Sequence, residues 1–200
     1  EEEPFAYPLS IARILGSRTA ELHTAFATPI SDPDFAVEPI RKSDLKSWGT
    51  AVAREARGMF RMLREQVQRL PEEVAPEINA LISIKDEVFS KIRSVAELKP
   101  SGGKSRIHGD YHLGQVLICH NDVMIVDFEG EPQRGIDERR AKSSPLRDTA
   151  GMLRSFDYLA WAALDRRHEI TGTVEEVERR RAMLWRDSAS RDFLDAYFLG

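Results

Sequence analysis

The chain has 200 residues, 42% hydrophobic and 31% charged, with 29 basic and 33 acidic side chains and a formal net charge of −4. This is a soluble globular composition. It excludes collagen-like, low-complexity and wholly disordered chains, and its slight acidity argues against nucleic acid as a partner. The single cysteine, Cys119, excludes a disulfide scaffold or cysteine-rich zinc site and fits a reducing cytoplasm. No run approaches the roughly 20 apolar residues that span a bilayer, and the acidic opening Glu1-Glu2-Glu3-Pro4 is unlike a secretory signal, so no membrane association is expected.

Ile11, Leu15, Leu22 and Phe26 recur near a helical period and predict a first helix over 10–27, interrupted by Pro29, Pro33 and Pro39. Ser43 and Asp44 can cap a second helix through Leu70, ended by Pro71, and a third runs over 72–98. Turn chemistry at 99–103 precedes two short β-branched-rich runs, 116–119 and 123–126. His120-Asn121-Asp122 separates them as in a hairpin. Cys119 in the first run reads as a buried, inert thiol. After a charged, irregular stretch over 129–142, helical patterns return at 147–167 and 174–198. The expectation is one unit over 1–200, mainly α with a small β hairpin (α+β). It is helical over 8–98 and 146–199, with a loop and hairpin over 104–132.

The residues with chemistry bracket the hairpin. His108-Gly109-Asp110-Tyr111-His112-Leu113-Gly114-Gln115 precedes its first strand, and Asp127-Phe128-Glu129-Gly130-Glu131-Pro132 follows its second. An antiparallel hairpin returns the chain to its starting end, so Gln115 and Asp127 should be neighbours with Asp110 on the adjoining loop. One carboxylate can take the proton of a substrate hydroxyl while a second, with an amide oxygen, holds Mg²⁺ against phosphate. The spacing HxDxxxxQ followed by DFE parallels the HRDxxxxN and DFG of kinase catalytic loops, so the predicted chemistry is phosphoryl transfer.

HGDYHLGQ, DFEGEP, the downstream KSSPLRDTAGMLRSFDY and the earlier LGSRTAELH together resemble the maltokinase family, itself similar to aminoglycoside and choline phosphotransferases. The resemblance implies the carboxyl-terminal lobe of a protein-kinase-like fold, with the amino-terminal nucleotide lobe absent. It also implies ATP-dependent phosphorylation of maltose with Mg²⁺, and a linked or associated trehalose synthase. Carried over by position, the resemblance implies that Asp110 is the catalytic base or alcohol-orienting carboxylate, that Gln115 and Asp127 are Mg²⁺ ligands, and that His108 shapes the loop. Asp148 orients the loop, with helix capping as its alternative role. Glu129, Glu131, Arg139, Lys142 and Arg147 are chemically suited to sugar hydroxyls or phosphate.

Other readings compete. An aminoglycoside- or choline-type phosphotransferase would use the same loop, and His108, Asp110 and His112 could instead ligate Zn²⁺ for hydrolysis. A noncatalytic interaction module would account for the lack of a phosphate-covering glycine-rich β loop. Ser101-Gly102-Gly103-Lys104-Ser105 does not supply one, because the first glycine of a phosphate loop is replaced by Leu98. Trp48, Phe60, Trp161 and Trp185 read as core, and 175–181 as a solvated helix face.

Overall fold

A computed structural model describes residues 6–29 and 31–200, with side chains described from residue 8; the acidic opening at 1–4 lies outside the described residues. The chain divides into two compact units, Glu1–Glu38 with Lys104–Gly200, and Pro39–Gly103. The sequence reading expects one unit because no glycine- or serine-rich linker stands between them. The crossings occur instead at two-residue strands, β1 (Glu38–Pro39) and β2 (Gly103–Lys104).

The smaller unit is helical. It holds α2 (Lys42–Gln66), α3 (Ala75–Ser83) and α4 (Lys85–Glu97). Asp44 is not the cap of α2 but its third residue, whose Oδ2 accepts the Arg41 N–H at 2.7 Å. The single helix expected over 72–98 is broken at Ile84, where ψ is 6° and the ladder is interrupted. Phe60 is buried against Phe89, and Arg57 and Lys85 lie over the Phe89 ring.

The larger unit is built on α1 (Ala6–Phe26), α6 (Leu146–Thr171) and α7 (Glu176–Leu199), with the hairpin β3 (Val116–Cys119) and β4 (Asp122–Ile125) and the short α5 (Ile136–Arg140). Its core gathers Ala12 and Leu15 from α1, Met152 and Phe156 from α6, Ala189 and Phe193 from α7, and Tyr111 and Val123 from the loop and hairpin. Phe156 meets Phe193 and Trp185 edge to face. Helices α1 and α7 approach so closely that a Cβ at Gly16 would fall on the Phe193 carbonyl. Trp161, expected in the core, is 45% exposed on α6.

The hairpin pairs Val116 with Ile125 and Cys119 with Asp122 across a tight turn in which His120 and Asn121 both take positive φ. Only one face of this ribbon meets the core. Val123 is buried while Leu117, Ile118, Met124 and Cys119 are exposed, so Cys119 is not the buried thiol expected from its apolar neighbours. Arg18 of α1 grips the turn through a two-pronged ion pair with Asp122, at 2.9 and 2.7 Å. That guanidinium, helped by the Val123 N–H, holds the Asp122 carboxyl down at about 2. Among the described residues no helix is long and apolar enough to cross a membrane.

Candidate active site

The loop 105–112 carries the first half of the site and is suspended from α6. Asp148, in the first turn of that helix, is 2% exposed. Its Oδ2 accepts the His108 N–H at 2.7 Å and its Oδ1 the Gly109 N–H at 2.9 Å. A carboxylate satisfied by loop amides fixes the path of that loop, because leaving it unpaired in the interior would be costly. Gly109 takes φ of 85°, a conformation that glycine adopts freely. Further along, Ser155 Oγ accepts the Leu113 N–H at 2.9 Å, and Gly151 lies so close to the loop that a Cβ there would stand 2.6 Å from the Tyr111 carbonyl oxygen.

His108 is 1% exposed, and its two ring nitrogens have distinct tasks. A carbonyl only accepts, so Nε2 donates to the Val126 oxygen at 2.8 Å, and Nδ1 faces the Asp110 N–H at 3.4 Å. Both nitrogens are thus occupied by backbone. His112 caps the following turn, its Nδ1 accepting the Gly114 N–H at 3.0 Å, while its Nε2 stands 3.9 Å from the Asp110 carboxylate. These assignments weigh against the zinc reading, because the one lone pair of the His108 ring, on Nδ1, is turned to the Asp110 N–H within the loop. Among the described residues no group of three or more His, Cys, Asp or Glu gathers as a metal site.

The hairpin carries the second half. Val126 N–H donates to the Gln115 carbonyl at 3.0 Å, extending the ladder one step beyond Val116 and Ile125 and setting Gln115 opposite Val126, one residue from Asp127. Asp127 is exposed and adopts φ of 66°, a left-handed conformation in which asparagine and aspartate are the side-chain-bearing residues best tolerated. The backbone thus turns out of the ladder at the residue singled out as a metal ligand, and such outliers concentrate at functional sites. The next residue, Phe128, packs its ring 5.0 Å from that of His108 and meets Phe26 edge to face.

The five residues suited to a sugar or phosphate separate into groups. Arg139 stacks on Gly130, donates to the Glu129 carbonyl at 3.1 Å and stands 3.8 Å from the Glu129 carboxylate. Glu131 pairs with Arg134, which also pairs with Glu138. Arg139, Glu131 and Arg147 border one small cavity beside Gly109 and Gly130. Glu129 and Arg139 also line a larger one of about 440 Å³, walled by Phe26, Phe35, Phe128 and Arg106. Lys142 is elsewhere: it is bound to the Pro33 carbonyl and to Glu38, each at 2.7 Å. Lys104 joins it on Glu38 and is followed by the irregular loop, with no helix opening at Ser105.

Comparison with known proteins shows what the chain is similar to. No protein-family profile matches the chain. The curated relatives include a glucosamine kinase of Streptacidiphilus jiangxiensis, 27% identical over 183 residues, covering 92% of this chain and 36% of that one. Another is a glucosamine kinase of Mycolicibacterium smegmatis, 25% identical over 165 residues, covering 82% and 37%. A solved glucosamine kinase in complex with glucosamine, ADP and inorganic phosphate superposes with a TM-score of 0.74 at 26% identity, over 99% of this chain and 41% of that one. A glucosamine kinase in crystal form A gives 0.70 at 26% identity, over 94% of this chain and 40% of that one.

The relatives and structures named above are glucosamine kinases. The chain spans little more than a third of the length of the curated ones. Two expectations are corrected by this. The maltokinase resemblance, with the maltose acceptor, the trehalose synthase partner and the kinship to aminoglycoside and choline phosphotransferases, gives way to glucosamine kinases. The architecture is mainly helical and resembles the matching part of the glucosamine kinase structures, not the protein-kinase-like carboxyl-terminal lobe that the motifs imply. The physical reason is common to both. HGDYHLGQ and DFEGEP encode how a loop and a hairpin end present carboxylates and an amide, and neither the acceptor sugar nor the surrounding architecture resides in those few residues.

His23 on α1 and Tyr197 on α7 also belong to the neighbourhood; His23 closes the segment LGSRTAELH, which assigns it no role, and nothing in the local sequence marks Tyr197. His23 approaches Asp148 Oδ2 at 3.2 Å and Tyr197 Oη at 2.9 Å. The sequence separation of 125 residues between His23 and Asp148 hides the contact.

Proposed function

We propose that this chain carries the hydroxyl-activating and metal-binding side of an ATP-dependent sugar kinase whose acceptor is glucosamine. The observation that carries the reading is the juxtaposition made by the hairpin. Gln115 lies one ladder step from the strained Asp127, and the Asp110 loop is tied to the same strand through His108 and Val126. The likeness to glucosamine kinases over more than four fifths of the chain supports the acceptor class.

In this reading Asp110 orients the acceptor hydroxyl and takes its proton as the oxygen attacks the terminal phosphate of ATP. The carboxylate of Asp127 and the amide oxygen of Gln115 are hard oxygen donors suited to Mg²⁺, which when bound would neutralise charge on the phosphates. His108 and Asp148 hold the loop and do no chemistry. Arg139 and Arg147, which border the same small cavity, would meet anionic groups in this reading, whereas Lys142 is engaged by the Pro33 carbonyl and Glu38. The reading leaves the adenosine side of ATP to the length of the relatives that this chain does not span. Its setting is the cytoplasm, where ATP is available.

The test is phosphate transfer from ATP by the complete gene product, with glucosamine, glucose, N-acetylglucosamine, maltose and choline as acceptors. Glucosamine is expected to give the highest kcat/KM. Preference for choline or maltose would overturn the acceptor, and ATP-dependent transfer to none of them would overturn the reaction.

A further inference from the structure

Three helices of the larger unit meet at one buried carboxylate. Besides the two loop amides, Asp148 Oδ2 takes a hydrogen bond from His23, which is 6% exposed. A carboxylate only accepts, so His23 donates from Nε2. In the single-proton form of the ring, Nδ1 then accepts from the Tyr197 hydroxyl at 2.9 Å. Burial holds that phenol above its ordinary range, which keeps it a donor. In the other direction His108 donates to the Val126 carbonyl, and the Val126 N–H donates to the Gln115 carbonyl. A path of hydrogen bonds and short covalent links therefore runs from Tyr197 through His23, Asp148 and His108 to the backbone that carries Gln115 and Asp127.

We infer that His23 is a positioning residue for phosphate transfer: through Asp148 it fixes the Asp110 loop against the hairpin end bearing Gln115 and Asp127. The inference rests on the reaction proposed above. Without His23 Nε2, Asp148 Oδ2 keeps the His108 amide alone, and the carboxylate gains freedom to turn. The loop amides it accepts turn with it. Displacing a reacting group by about 1 Å costs roughly 10²-fold in rate, so small freedom in this carboxylate is amplified at Asp110. The competing role is packing alone, since the His23 ring also meets Tyr197 edge on at 5.6 Å.

Two substitutions separate these roles in the complete gene product, assayed with ATP and glucosamine. His23→Leu keeps bulk and removes the donor, whereas His23→Gln keeps an N–H at similar reach. His23→Leu is expected to lower kcat by about 10- to 100-fold, the usual range for a supporting hydrogen bond, with KM for both substrates within about twofold. His23→Gln should recover most of the loss. Equal kcat in both variants and wild type, a rise confined to KM, or a loss that follows only the folded fraction by circular dichroism would overturn the inference. Should the wild type phosphorylate no sugar, the reaction fails first. Amide hydrogen exchange at His108 and Gly109 then decides the positioning: faster in His23→Leu but not in His23→Gln supports it, and no difference refutes it.

Discussion

Gly151→Ala joins the packing of α6 to the chemistry of the loop. The new Cβ would stand 2.6 Å from the Tyr111 carbonyl oxygen, and ordinary contact begins near 3.4 Å, so helix or loop must yield by about 0.8 Å. The Tyr111 peptide follows Asp110 directly, so the displacement enters one residue from the proposed base. At roughly 10²-fold per 1 Å, kcat should fall by about 10- to 100-fold. Stability responds less. Overpacking costs about 1–3 kcal/mol, and replacing a helical glycine with alanine returns about 1 kcal/mol. The net loss of about 0–2 kcal/mol corresponds to a melting shift of about 0–8 °C for a chain of this size. Gly58→Ala in α2 is the control, because nothing lies within 4 Å of its Cβ and it keeps only the helical gain. Phosphate transfer and thermal melting of the two variants are measured together. Wild-type kcat in Gly151→Ala would refute the close seating of the loop on α6.

Asp127→Asn should lose most transfer at saturating Mg²⁺ while melting like the wild type, because asparagine tolerates the same left-handed backbone and removes only the charge; retained activity contradicts its role. Gln115→Asn keeps the amide oxygen and shortens its reach, so it should be milder, and a loss as complete as that of Asp127→Asn would exclude such tolerance. The Arg18–Asp122 pair predicts a pH signature: the folded carboxyl is depressed to about 2, below the ordinary value near 3.9. Its stabilisation is therefore fully present above the ordinary value and lost as pH falls through the folded one. The melting advantage of wild type over Asp122→Asn should shrink from about pH 5, be mostly gone at about pH 2 and vanish near about pH 1; a constant difference would point to packing instead.

The hairpin was legible because its two β-branched runs are short, bounded by turn residues and rich enough in valine and isoleucine to exclude a helix. Its consequence, Gln115 beside Asp127, followed from antiparallel geometry. The break at Ile84 was hidden because apolar spacing continues across it, and helical periodicity records which side faces the core without recording whether the ladder is continuous. Cys119 and Trp161 were misplaced for a related reason: an apolar neighbourhood in sequence does not supply a second layer to cover it. The loop motif suggested phosphoryl transfer, yet the likeness to glucosamine kinases and the architecture lay beyond it. The roles of His23, which closes LGSRTAELH, and of Tyr197 were invisible because a hydrogen bond between distant helices leaves no periodic trace.

The central claim is that Asp110 activates a sugar hydroxyl, and Asp110→Asn in the complete gene product tests it most directly. Asparagine preserves the shape of the side chain and cannot take the proton. With ATP and glucosamine saturating, kcat should fall by roughly 10²- to 10⁴-fold, the range for removal of general base assistance, with Mg²⁺–ATP affinity and the melting temperature close to wild type. A folded variant that turns over at the wild-type rate would contradict the account.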